Sequence, residues 1–154
     1  MNDPVTERLA ALGLTLPSLT PPRGRFQLYR RCGSMLYLSG KGAPARPGDA
    51  PVPKVGAEVS VEEARAHAQE VGLYLLAVMH QAAGGWARVR QIVKVLGLVN
   101  ATPDFKRHTE VIDGCSALFV DVLGERGEHA RSAVGVGSLP MGFAVEIEAI
   151  VEVD

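Results

Sequence analysis

Residues Ser60 to Val99 read SVEEARAHAQEVGLYLLAVMHQAAGGWARVRQIVKVLGLV. Ser60-Val61-Glu62-Glu63 has the form of a capping box, with Ser60 accepting from the third helical amide and Glu63 reaching back to the amide of Ser60. Val61, Ala64, Ala68, Val71, Leu75, Val78 and Ala82 then recur every three or four residues, laying one apolar stripe along a helix that starts at Val61. Gly84-Gly85 supplies the stop. At 1.5 Å per residue such a helix is roughly 35 Å long, enough to cross one face of a sheet. From Trp86 onward the period changes to two. Ala87, Val89, Val93, Val95 and Val99 form one apolar face, opposed by Arg88, Arg90 and Lys94 and then by Leu96 and Leu98, which reads as a long, half-covered strand.

Working outward, residues 26–31 and 34–39 are β-prone runs separated by Cys32-Gly33, the signal of a hairpin. Eight of the ten prolines fall in residues 1–53. The front of the chain therefore reads as an N-terminal arm (1–23), the hairpin, and a Pro/Gly-rich loop (41–57) that serves as a surface connection or a lid. On the other side, Asn100 to Asp104 is turn-like. Leu118, Phe119, Val122 and Leu123 mark a second helix within Phe105 to Leu123, ending near Gly124, with a start blurred by Gly114. Two strands follow, Ala130 to Leu139 and Phe143 to Val153, joined at Pro140-Met141-Gly142. In the last, Val145, Ile147, Ala149, Val151 and Val153 alternate with a more polar set.

The order is ββαβαββ, an α+β chain with both helices on one face of a mixed sheet, because right-handed crossovers put them on the same side. The opposite face is bare and too apolar for water, so subunits are expected to pack sheet against sheet.

At 154 residues, with 47% hydrophobic and 21% charged side chains, the chain fits one globular domain spanning 1–154. A net charge of -1 offers no general attraction to nucleic acid or an acidic membrane. No apolar run approaches the length of a membrane span, the first residues do not form a signal peptide, and two cysteines make no disulfide scaffold. The expected location is the cytoplasm.

The candidate chemistry starts with Arg131, set in the small, apolar run Ala130-Arg131-Ser132-Ala133-Val134-Gly135-Val136-Gly137. A guanidinium there needs a partner, either a structural carboxylate or the carboxylate of a ligand, for which the small neighbours leave room. Glu146, on the polar face of the last strand, could orient water or act as acid or base. If the last two strands form a hairpin, Arg131 lies opposite about Val151 and roughly 17 Å from Glu146, so a joint site is more easily built from two subunits. Cys115 reads as a small buried thiol rather than a nucleophile served by His108 or His129. The four histidines show no metal-ligand spacing, and no metal or other cofactor is expected. Gly135-Val136-Gly137-Ser138 lacks the third glycine of a dinucleotide loop and the lysine of a Walker loop. Arg23, Arg25, Arg30 and Arg31, with Phe26 and Tyr29 among them, read as a solvated hairpin face before a single-stranded RNA surface.

Ala130-Arg131-Ser132-Ala133-Val134, Leu139-Pro140 and Val145-Glu146-Ile147-Glu148-Ala149-Ile150 together resemble the C-terminal signature of the RidA/YjgF family, the imine/enamine deaminases also labelled endoribonuclease L-PSP. Gly33 to Gly40 is similar to the family's early strand, and the chain resembles a longer, divergent branch of it. The resemblance implies a chorismate-mutase-like fold and a homotrimer with ligand clefts between subunits. It also implies hydrolysis of 2-imino or enamino acids to 2-oxo acids and ammonia without metal or cofactor. Carried over by position, Arg131 would hold the substrate carboxylate, Ser39 and Gly40 would help to bind it, and Glu146 would position the attacking water. Phe26 stands where the family has a tyrosine, Ala133 where it has a cysteine, and Asp113 where an asparagine is frequent. Two alternatives stand beside the deaminase: a trimeric small-molecule binding or regulatory protein, and an RNA-cleaving protein, which the neutral charge disfavours.

Overall fold

The computed structural model describes residues 3–154. Its elements are α1 (Pro4–Ala11), β1 (Tyr29–Cys32), β2 (Met35–Leu38), β3 (Lys41–Ala43), α2 (Val61–Ala83), β4 (Val89–Asn100), α3 (His108–Leu123), β5 (Ala130–Val136) and β6 (Val145–Val153). The strands make one mixed sheet in the order β1-β2-β6-β4-β5, with β3 also paired to β6. The sheet is antiparallel except for β4 and β5. α2 and α3 pack together on one face, as the crossover argument requires.

The decisive stretch folds as its pattern dictates. Ser60 accepts a hydrogen bond from the amide of Glu63 at 3.1 Å, and Gly84 ends α2 in the left-handed conformation at φ 78°. The reciprocal half of the capping box is not made, because the Glu63 carboxylate lies toward His67 instead, 3.8 Å from Nε2. Ala64, Ala68, Val71, Leu75 and Val78 are all buried. On β6, Val145, Ile147, Ala149, Val151 and Val153 are buried beneath the helices, the alternation expected of a central strand with one covered face.

Four features depart from the sequence reading. The arm contains a helix: Asp3 caps α1 by accepting from the amide of Val5, and α1 packs on the outside of α3 with Val5 and Leu9 buried. The Pro/Gly-rich loop begins with a strand, since β3 pairs with Ile147, Glu146 and Val145. Further along, Val55 is fully buried and bonds through its amide to the carbonyl of Asn100, which fixes this end of the loop to the sheet. The hairpin turn is Gly33-Ser34, one residue later than expected, with Cys32 opposite Met35 and Gly33 at φ 59°.

The fourth departure matters most for function. β5 and β6 do not form a hairpin; β4 lies between them, parallel to β5 and antiparallel to β6. The short turn at Pro140–Gly142 thus closes a split crossing rather than a direct return. Two register shifts in β4, at Val89/Gln91 and Ile92/Lys94, turn Ile92 into the core and leave Val93 exposed, which strict alternation cannot anticipate.

Gly114 does not interrupt α3. A Cβ there would lie 2.1 Å from the carbonyl oxygen of Arg65, so glycine is what lets α3 approach the backbone of α2. The uncovered sheet face carries Tyr37 and Val134, both exposed, and the half-buried Leu96, Leu98 and Ile150. Among the described residues no helix is long and apolar enough to cross a membrane.

Candidate functional site

The residues singled out in the sequence fall into two clusters, one around β6 where β2 runs into β3 and the other on the edge strand β5. The first is built where β2 runs into β3. Ser39 donates from Oγ to the carbonyl of Gln27 at 2.6 Å, and its amide donates to the carbonyl of Leu28 at 2.9 Å. These two bonds hold the segment bearing Phe26 beside Gly40. Phe26, Ser39, Gly40, Gly42, Tyr74 and Phe143 line a cavity of about 300 Å³ there. Glu146 of β6 is not among the lining residues but adjoins two of them, Gly40 and Gly42. Gly42 is its cross-strand neighbour, and a Cβ on Gly40 would fall 2.5 Å from Glu146 Oε1. The carboxylate therefore lies against backbone that only glycine leaves open. Burial, and then the neighbouring Glu148, hold Glu146 above the usual carboxylate range. Such a carboxylate is a better proton acceptor than a fully solvated one.

The second cluster lies on β5 and α3. Arg131 points toward the helices, where Nη1 donates to Asp113 Oδ1 at 2.7 Å and to Ser116 Oγ at 3.0 Å. Asp113 and Ser116 are one turn apart and face the same strand. His129 extends the network. Its Nδ1 lies 2.6 Å from the carbonyl of Gly127, which can only accept, so the ring proton is on Nδ1 and Nε2 accepts from Ser116 Oγ at 2.9 Å. Burial holds this imidazole below the usual histidine range, and Arg131 pushes the same way against the Gly127 hydrogen bond. Ala133, one pleat beyond Arg131 on the same strand, is half-buried against the core.

Within one chain the two clusters do not meet. Arg131 pairs with Val95, and Val95 with Ala149, so Arg131 and Glu146 are two strands and three residues apart, roughly 14 Å between Cα atoms at the usual strand spacing and rise. Their side chains also leave opposite faces: Arg131 reaches α3, whereas Glu146 alternates with Val145 and Ile147, which lie under the helices. The hairpin geometry behind the 17 Å expectation is replaced, and the separation remains.

Ser116 and His129 were not assigned to Arg131 by the sequence. The available signal was the lone guanidinium among small apolar residues together with Asp113 and Ser116 at helical spacing. Cys115 is fully buried, in the middle of α3 rather than at its start, and burial pushes its thiol well above the ordinary value. That environment suits packing, not nucleophilic attack. In the basic cluster Arg23, Arg25, Arg30 and Arg31 are all exposed, with Arg31 tied to the carbonyls of Gly33 and Asp154.

Known proteins are similar to this chain along nearly its whole length. Protein TCP17 of Trypanosoma cruzi is 36% identical over 151 residues, covering 97% of this chain and 94% of the relative. The crystal structure of Atu1372 from Agrobacterium tumefaciens, described as of unknown function, superposes with TM-score 0.85 at 37% identity, over 98% of this chain and 94% of that one. A putative endoribonuclease from Shewanella oneidensis superposes with TM-score 0.88 at 27% identity, over 98% of this chain and all of that one, its share being 100%. The sequence also matches, over residues 6–149, the family described as YjgF/chorismate mutase-like, putative endoribonuclease. With the fold, the β6 signature and these relatives in agreement, the chain belongs to the YjgF/chorismate mutase-like family.

Proposed function

We propose that the protein is a metal-free hydrolytic deaminase of reactive 2-imino or enamino compounds, with each site built from two copies of the chain in a homotrimer. The observation that carries this reading is the seat of Glu146 over Gly40, where a carboxylate of raised proton affinity lies against backbone free of side chains. The reading also draws on the resemblance of the Arg131 and Glu146 motifs to the RidA/YjgF deaminases.

In this scheme Glu146 takes a proton from water as its oxygen attacks the imine carbon, and the C=N pair moves to nitrogen. Returning that proton to nitrogen gives the neutral carbinolamine, HO–C–NH₂. Glu146 then carries the hydroxyl proton to the same nitrogen, so that the C–N bond breaks, ammonia leaves and the oxygen is left as the C=O group. Arg131 anchors the carboxyl-derived end of the substrate, fixing the carbon in front of the water. Ser39 and Gly40 present backbone to the ligand, Phe26 closes the cavity wall, and Ala133 leaves space beside the guanidinium.

The reading uses two copies because Glu146, on the interior strand β6, and Arg131, on the edge strand β5, are two strands apart and leave opposite faces of the sheet. A head-to-tail contact between two such regions closes into a ring when the rotation permits, and the apolar uncovered face supplies a surface for burial within it.

Ammonia release from freshly generated 2-iminobutyrate and 2-iminobutyramide tests the reading, with spontaneous hydrolysis as the baseline. Acceleration by the wild type, lost in Arg131→Ala and Glu146→Ala variants that keep their oligomeric state, is the expected result. No acceleration on either compound would reject the deaminase and leave a small-molecule binding protein as the reading to pursue.

A further inference from the structure

Arg131 is already engaged. Its Nη1 is shared between Asp113 Oδ1 and Ser116 Oγ, so the guanidinium, mostly buried against α3, stands as half of an ion pair. Asp113 is the more open partner, its side chain 42% exposed against 19% for Arg131. Among the described residues, Asp113 Oδ2 accepts no hydrogen bond from another side chain, and Arg131 Nη2 and Nε donate none. What the pair offers a ligand is therefore an acceptor beside donors, rather than a bare cation.

A carboxylate presented to Arg131 would have to lie beside a second carboxylate, and this like-charge contact weakens its binding. A carboxamide carries the complementary pattern: its carbonyl oxygen accepts from Arg131 and its NH₂ group donates to Asp113. We infer that Asp113 makes this a subsite for an uncharged carboxamide or ureido group, so that the preferred substrates are 2-imino or enamino amides rather than the acids. The inference rests on the proposed function only in placing Arg131 where substrate binds. Ser116 contributes by holding Nη1 in place from the far side, with the His129 ring 2.9 Å behind its hydroxyl.

Binding of 2-oxobutyramide and 2-oxobutyrate, the stable keto analogues, to the assembled wild-type protein and to Asp113→Asn tests this by calorimetric titration. Asparagine keeps the shape and can still accept from Arg131, but it removes the charge. The wild type should bind the amide about tenfold or more tightly than the acid, and Asp113→Asn should shift the preference toward the acid by a similar factor. Equal or tighter binding of the acid by the wild type, an unchanged ratio in Asp113→Asn, or no binding of either compound would overturn the inference. Amide preference without ammonia release from either imine would keep this subsite and remove the deaminase; ammonia release with acid preference would do the reverse.

Discussion

Gly40 and Glu146 show how one missing side chain can set up a site. Because a Cβ at residue 40 would meet the mobile end of Glu146 rather than backbone, Gly40→Ala should leave folding nearly intact while moving the carboxylate. We expect a fall in kcat of about a hundredfold, the scale of an ångström misplacement, with thermal denaturation little changed; unaltered kcat would remove Glu146 from the chemistry. The raised proton affinity of Glu146 has two further consequences. Activity that needs its carboxylate should fall on the acid side with a midpoint above 4.5, the ordinary value. For stability the sign is opposite to that of a salt-bridged acid. As pH rises from the ordinary value through the raised one, the folded chain keeps the Glu146 proton longer than the unfolded chain does, so folding loses stability across that window. Glu146→Gln should lose less stability over the same rise, which paired denaturation curves below and above the window would detect.

Among the elements, α2 and β6 were legible in full because each carries an uninterrupted period: 3.6 over Val61 to Ala82 and two over Val145 to Val153. β3 escaped because three residues are too few to show a period, and a Pro-rich context overrides propensity when a central strand has an open edge to fill. α1 escaped because a short helix with two buried residues draws its stability from packing on α3 rather than from its own pattern. The insertion of β4 between β5 and β6 was hidden for another reason. A short Pro-Met-Gly link is compatible with both a hairpin and a turn across an intervening strand, and only three-dimensional pairing separates them. Gly114 looked like a breaker because glycine lowers helix propensity, whereas its role is to admit the carbonyl of Arg65. Gly114→Ala should therefore destabilise the protein by about 1–3 kcal/mol despite the gain in propensity, since the obstacle is backbone. Ser60→Ala, which removes only the cap, should cost about 1 kcal/mol. Chemical denaturation of both variants checks the order; a stabilised Gly114→Ala would contradict the close helix contact.

At the scale of the molecule, the candidate site was legible as residue types but not as an arrangement. Phe26 ahead of β1, Ser39 and Gly40 between β2 and β3, and Glu146 on β6 come together, while Arg131 and Ala133 are carried on β5 at the sheet's edge. No property of one chain's sequence states whether these two groups belong to a single cleft; the proposed function brings them together by placing a second copy beside the first. The central claim is thus that Arg131 of one copy and Glu146 of its neighbour make one site, and subunit mixing tests it most directly. Arg131→Ala and Glu146→Gln proteins are each prepared, shown to be inactive and correctly assembled, and then exchanged under conditions in which mass measurement confirms mixed oligomers. In a mixed assembly some clefts pair an intact Arg131 with an intact Glu146, so ammonia release from 2-iminobutyramide should reappear at a sizeable fraction of the wild-type rate. Confirmed mixed oligomers that remain as inactive as either parent would contradict the two-copy site.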